Sequence, residues 1–324
     1  MKQKNEDKTN KTNKTNKTNK MNKTNKMNKT NKTNKTAKTV KTGLILALAL
    51  GLIAVALAAC GGKSAGGSGA SPDTNKNIKV GVAPGPYGDM IKLAITPYME
   101  KQGYKIEVVQ FSDYVQPDKA LGSGEIDANL MQHTVYLEKF AKDNKLDIGK
   151  VISVPTAGMG VYSNKLKDLK ELPEGSKVAI AADASNLARS LRFLKALGLI
   201  DLKADIDATK ATVHDVSDNP HKLEFVTLDA AQISRSLDSV AIGLIPGNFA
   251  IAAKLNLADA LAVEKLTEDY KNVVAVRTLD IAGQLGKDLK AAVESEEFHQ
   301  AIENPGGIFK AFDKPEWYTT KYSK

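Results

Sequence analysis

Cys60 is the only cysteine in this 324-residue sequence, and its position suggests chemistry. It stands directly after an apolar run, Leu44 to Ala59, and directly before the Gly/Ser-rich stretch Gly61 to Asp73. A thiol so placed could form a thioether to a lipid; a buried free thiol is the alternative. With no second cysteine no disulfide can brace the chain, so its core is held by packing. Arg189 is the next side chain of interest. It follows Asp183-Ala184-Ser185-Asn186 in a stretch with leucines at helical spacing. A guanidinium is a planar fork that suits a carboxylate bidentately, and the start of a helix favours an anion. A solvated surface arginine is the alternative. The histidines, His133, His214, His221 and His299, are scattered without ligand spacing, so no metal is expected. A lone histidine at a strand end, as at His133, reads as a hydrogen-bonded structural residue. No G-x-S-x-G elbow, H-E-x-x-H, P-loop or dinucleotide glycine fingerprint is present, and "GSGEID" (Gly122 to Asp127) is a turn. No nucleophile–base constellation is visible, so neither an enzyme nor a cofactor is expected.

The leader that would deliver Cys60 can be read in three parts. Residues 1–42 are a near-triplet repeat of Lys, Thr and Asn with almost nothing apolar, a composition that cannot offset the entropy of ordering. Leu44 to Ala59 spans 16 residues, short of the roughly 20 a membrane-spanning helix needs. A basic segment, a short apolar segment and small residues at the end make a signal peptide, here 1–59. Leu57-Ala58-Ala59-Cys60 looks like the lipobox of bacterial lipoproteins, in which the cysteine becomes the new N-terminus and carries acyl chains such as palmitate. Residues 60–76 then read as the lipidated cysteine and a flexible tether. Met21 and Met27 are alternative starts. The charge follows the same division. The chain carries +9, but residues 1–59 hold 14 lysines against Glu6 and Asp7, which leaves −3 for the remainder. A nucleic-acid partner suggested by the whole-chain charge therefore disappears with the leader.

From Asn77 onward strand and helix signals alternate. Strands are predicted at Ile78 to Ala83, Lys105 to Phe111, the segment ending "DANLMQ", Lys177 to Asp183, Leu223 to Leu228, Ser239 to Gly247 and Asn272 to Arg277. Val151 to Ser163 reads as one long extended segment. Helical spacing covers Tyr87 to Gln102, with a kink at Pro97, and "DYVQPDKALGSGEI" holds a short helix. Leu187, Leu191, Leu194 and Leu197 form a buried stripe ended by Gly198 as a C-cap glycine. "DAAQISRSL" is a helix with Asp229 as N-cap, and helices finish the chain. Such alternation predicts an α/β fold with mostly parallel sheets. Two lobes are expected: 77–163 with 266–324 in the first, 164–265 in the second. The ligand cleft then lies between them, at the C-terminal ends of strands, where the loops after Ala83, Phe111, Leu130, Ala182 and Ile245 converge.

Those loops also carry a resemblance. "PGPYGDM", "FSDYVQPDKAL", "GEIDANLMQHTVYLE", "ADASNLARSL", "LDAAQISRSLDSVAIGLIPGNFA" and "VVAVR" occur in the order and spacing of the MetQ/NlpA family of lipoprotein substrate-binding proteins. The resemblance runs from about Ile78 to near the C-terminus. It implies a two-lobed periplasmic-binding-protein fold that closes on methionine, in either enantiomer or within a dipeptide. It further implies that Arg189 pairs with the ligand carboxylate. Asn186 would bind the same amino-acid backbone, with a helix cap as its alternative. Asn248 would contact the ligand amino or carboxylate group, with a turn residue of positive φ as its alternative. Tyr114, His133 and Tyr136 match positions lining the side-chain pocket, with Tyr87 near; aromatic rings suit a thioether sulfur. Departures from the family pattern are Leu130 and Met131, where many members carry aromatics, Pro246, where many carry Asn, and Phe249, where many carry Tyr.

The implied partners are an amino acid or short peptide, an ABC permease with its ATPase, and the membrane, through lipid on Cys60 at the extracytoplasmic face. Ligand would favour a closed form by its differential contacts with the two states, and the anchor would keep the protein near the permease. Two other readings compete within this frame. One is a different apolar amino acid or dipeptide; the other is a surface interaction lipoprotein that has lost ligand binding.

Overall fold

The structure is a computed structural model and describes residues 76–322 except 208. Cys60, the expected signal peptide 1–59 and the expected tether up to residue 75 lie outside the described residues. Among the described residues, no helix is long and apolar enough to cross a membrane.

Two five-stranded sheets organise the chain. The first is built from β1 (Asn77–Val82), β2 (Lys105–Gln110), β3 (Ala128–His133) and β4 (Ile148–Ser153), in the order β2-β1-β3-β12-β4, where β12 is Asn272–Arg277. The second is built from β5 (Gly160–Tyr162), β6 (Lys177–Ala181), β9 (Glu224–Leu228), β10 (Ile242–Ile245) and β11 (Ala262–Val263), in the order β11-β5-β10-β6-β9. A short antiparallel pair, β7 (Asp201–Leu202) with β8 (Val216–Asp218), sits beside it. In each sheet four strands run one way and one runs against them: β12 in the first, β5 in the second. Those two antiparallel strands are the ones that receive the chain as it passes between sheets, first after β4 and again after β11.

The expected extended segment Val151 to Ser163 is therefore two strands in different sheets. Residues 154–159 between them form the first crossing, which pairs with other loops: the Val154 N–H donates to the Asn272 carbonyl at 2.7 Å, and Thr156 bridges Asp313. The helix predicted from Tyr87 begins as α1 (Tyr87–Met90), widens to a π-turn at Ile91–Ile95 and resumes as α2 (Thr96–Lys101). Pro97 explains this kink, because it lacks an N–H and its ring crowds the carbonyl four residues back. The seven residues after Asp229 (Ala230–Ser236) form a 3-10 helix rather than an α-helix, although Asp229 does accept from the Ala231 N–H at 2.9 Å. Its tight turns drive Ile233 under Gly243, where a Cβ would lie 3.0 Å from the Ile233 side chain.

Each sheet packs apolar residues on both faces. Beneath the first, Ile78, Val80 and Val276 meet Met90, Ile95, Leu289, Phe298 and Phe312, so the C-terminal helices complete its core. Beneath the second, Val178, Ile180 and Leu244 meet Ala188, Leu191 and Leu194 of α5 (Ala184–Ala196). The other helices that frame the cleft are α3 (Val115–Ser123) and α4 (Thr134–Asn144) on the first sheet, and α6 (Gly247–Ala252) on the second.

Candidate functional site

The loops leaving β1, β2, β3, β6 and β10 meet at one cavity between the two sheets. Its lining includes all seven residues singled out from the sequence: Tyr87, Tyr114, His133, Tyr136, Asn186, Arg189 and Asn248. The enclosed volume is about 10 Å³, the room of about one water.

His133 ends β3 and caps α4. The Tyr136 N–H donates to its Nδ1 at 3.1 Å, which makes Nδ1 the acceptor and Nε2 the protonated nitrogen. Nε2 lies 3.2 Å from Asn186 Oδ1 and donates to it. Burial, and then the Arg189 charge, push the imidazole down to about 3, so the ring is neutral. With both nitrogens engaged, His133 serves as a polar wall between lobes.

Asn186 is the third residue of α5, and its cap is Asp183, whose carboxylate accepts from the Asn186 backbone N–H at 2.9 Å. The helix-cap alternative for Asn186 therefore falls. Its side-chain Nδ2 donates to Asp183, which turns Oδ1 toward His133 and Arg189. Arg189 lies one turn on and is 4% exposed, which removes the surface alternative. Its Nε donates to Glu264 Oε2 at 2.8 Å, and Nη2 lies 2.6 Å from the same oxygen. Burial opposes the charge on Arg189, but Glu264 more than offsets it and raises the guanidinium above its usual value. The Tyr270 ring lies beneath, with the Arg189 Cζ 5.3 Å from its centroid.

Asn248 sits in the first turn of α6 and has no positive φ, so the turn alternative also falls. It accepts from Tyr114 Oη at 2.6 Å and donates from Nδ2 to the Pro84 carbonyl at 2.9 Å. Both partners belong to the other lobe. Gly85 permits this approach: its φ is +131°, and a Cβ there would lie 2.6 Å from the Asn248 carbonyl oxygen. The aromatic wall is continuous. Tyr114 packs edge-on against Tyr136 at 5.6 Å and at a tilt against Phe249 at 4.9 Å. Burial raises both tyrosine hydroxyls, and it lifts that of Tyr87 to about 12, so all three stay protonated; Tyr87 Oη accepts from the Ala157 N–H at 3.4 Å.

Comparison with known proteins now bears on this site. The model of the NlpA lipoprotein family matches residues 78–317. This chain belongs to that family. A probable D-methionine-binding lipoprotein MetQ from Vibrio cholerae is 36% identical over 276 residues, covering 83% of this chain and 97% of the relative. The D-methionine-binding lipoprotein MetQ of Escherichia coli is 36% identical over 76% of this chain and 92% of its own length. Among solved structures, a nutrient-binding protein from Burkholderia cenocepacia bound to methionine is 40% identical, with a TM-score of 0.68 over 72% of this chain and 97% of that one. The α/β two-lobed architecture expected from the sequence is thus the architecture of the family.

Set against the NlpA pattern, the departures separate in space. Leu130 is fully buried in the core of the first lobe, whereas Met131 and Pro246 line the cavity. Phe249 keeps an aromatic ring on Tyr114 without the hydroxyl. Gln132, Thr156, Ala157, Gly247 and Asn272 also line the cavity, and none was singled out from the sequence. Gln132 adjoins His133 in the quoted "MQHTVY" and was within reach of that pattern. Thr156 had no local signal: its hydroxyl accepts from the Asn272 N–H at 2.7 Å, and it earns its place by joining the two crossings.

Proposed function

We propose that this chain is an extracytoplasmic, lipid-anchored binding protein that captures methionine or a closely related amino acid and delivers it to an ABC importer. The observation that carries the reading is the buried Arg189, held beside Asn186 at the foot of a cleft walled by Tyr114, His133 and Tyr136. Glu264 already balances its charge from one edge, and the remaining donors of the buried fork suit a second carboxylate. The carboxylate of an amino acid supplies one, Asn186 and Asn248 offer amide groups to its backbone, and the rings and Met131 receive an apolar side chain. The names of the relatives, which specify methionine, support the same ligand.

Delivery follows from the two lobes. Ligand bridging Arg189 on one lobe and the tyrosine wall on the other favours closure, because only the closed form makes both sets of contacts. Closed lobes dock on the permease pair, and acyl chains on Cys60 hold the protein at the membrane. No chemistry is performed on the ligand. A dipeptide or another apolar amino acid is the second reading, favoured by Met131 and Pro246 in the lining.

The test is calorimetric titration of protein refolded to strip carried-over ligand, using L-methionine, D-methionine and glycyl-methionine. One-to-one binding of any of these, with the ligand recovered unchanged, is the expected result. No heat with all three removes methionine as the ligand.

A further inference from the structure

The ion pair between Arg189 and Glu264 is not explained by the need to bind a carboxylate. No other ion pair among the described residues is as buried, with side-chain exposures of 5% and 14%. Glu264 does not line the cavity; it stands behind Arg189 at the end of β11, where its N–H donates to the Met159 carbonyl at 2.8 Å. Gly158, on the first crossing, lies against it, since a Cβ there would come 2.6 Å from the Glu264 carbonyl. Glu264 is thus anchored where the two crossings touch, and its carboxylate reaches the guanidinium from the side away from the cavity.

The geometry divides the arginine's donors. Nε aims its N–H at Glu264 Oε2 and Nη2 is ion-paired with the same oxygen at 2.6 Å; beyond that contact Nη2 has no hydrogen-bond partner among the described residues. Nη1 reaches Asn186 Oδ1 only at 3.5 Å. The two terminal nitrogens therefore keep donors for an incoming carboxylate, with Glu264 holding the fork in orientation. The charge, however, is already balanced. Asp183 caps the helix, Arg192 lies across the Tyr270 ring, and buried Lys271 is shared by Glu264 with Asp313, Glu268 and Glu316, so further charges of both signs surround the pair.

We propose that Glu264 is a positioning residue that sets the net charge of the ligand: by neutralising Arg189 it makes the cleft favour ligands with no net charge over monoanions bearing the same carboxylate. The proposal rests on the carboxylate-binding role of Arg189 given above. A zwitterionic amino acid or peptide enters without changing the charge of the closed cleft. A monoanion leaves one buried negative charge unmatched, which is costly in a site closed to water. Without the Glu264 charge the balance inverts, and the monoanion becomes the neutralising ligand.

Glycyl-methionine and N-acetyl-methionine make the comparison, since they are nearly the same shape and differ by one ammonium group. Both are titrated into the wild-type protein, Glu264→Gln and Glu264→Asp. Wild type and Glu264→Asp are expected to prefer glycyl-methionine. Glu264→Gln is expected to shift the ratio toward N-acetyl-methionine by about tenfold or more, with an absolute gain for that probe. Loss of affinity for both probes with an unchanged ratio makes Glu264 a merely structural support and overturns the proposal, as does a glutamine variant that gains nothing for N-acetyl-methionine. A wild type that binds no methionine compound, beside a glutamine variant that gains N-acetyl-methionine, overturns the ligand reading and leaves the charge assignment standing. Glu264→Ala carries the same charge change and replaces the glutamine variant should the latter fail to fold.

Discussion

Arg189 and His133 show how one buried position controls the chemistry of its neighbours. Arg189→Ala removes the proposed partner of the ligand carboxylate and also leaves half-buried Glu264 without its ion-pair partner. Affinity is expected to fall a hundredfold or more, an effect of roughly 3 kcal/mol, in calorimetric titration. The melting temperature is expected to fall with it. His133 makes a pH prediction. Its ordinary value of 6.5 is lowered to about 3, chiefly by burial. An unfolded chain binds this proton below about pH 6.5, while the folded chain refuses it until about pH 3. Its contribution to stability is therefore whole above pH 6.5 and is withdrawn as pH falls toward 3. Urea unfolding of wild type and His133→Gln at several pH values is expected to show a shallower acid loss in the variant; parallel curves would remove His133 from the account.

At the scale of elements, α3 and β3 are joined by a buried carboxyl. Asp118 on α3 accepts from Asn129 Nδ2 at 2.8 Å and from Gln132 Nε2, both on β3. Burial raises it from 3.8 to about 7, against the pull of those two hydrogen bonds, and its second oxygen has no partner among the described residues. A raised carboxyl value means stability present below pH 3.8 and lost as pH rises toward 7. Asp118→Asn keeps an acceptor for the strand and removes the buried charge. It is expected to be more stable than wild type at pH 8 by about 1 kcal/mol or more, and to lose that advantage near pH 4. Equal melting temperatures at both pH values would contradict this. Because Gln132 lines the cavity, this pair also supports the ligand wall.

At the scale of the whole molecule, the proposed function depends on the approach of the two lobes. Cross-lobe hydrogen bonds join them: Tyr114 donates to Asn248, Asn248 to the Pro84 carbonyl, and His133 to Asn186. Gly85 is a tight point of that approach, with Asn248 2.6 Å from where a side chain would begin. Gly85→Val is expected to hold the lobes apart: small-angle scattering should show no ligand-induced contraction, and affinity should drop at least tenfold. Normal contraction in that variant would mean the loop yields. At the membrane, Cys60→Ser is expected to release the protein into the soluble fraction, which fractionation and immunoblotting would read.

Much of this was legible in the chain by itself, because it is local. Alternation at period two marked Ile78 to Ala83 and Lys105 to Phe111 as strands, the leucine stripe with Asp183 before it and Gly198 after it marked α5, and the missing N–H of Pro97 marked a kink. The singled-out residues that line the cavity were reached through the family resemblance, which the segments around the strand ends carry, rather than through any local period. Helix α4 was not legible, since its apolar stripe is narrow, with Tyr136 and Leu137 buried and Phe140 and Ala141 half-buried. The break inside Val151 to Ser163 was not either: both halves are extended, and only pairing with different sheets separates them. Glu264 lies 75 residues from Arg189, and nothing in its neighbourhood along the chain marks it. Its role depends on two crossings returning to one point, and pairing between distant segments is decided by packing of the whole fold, which no local period records.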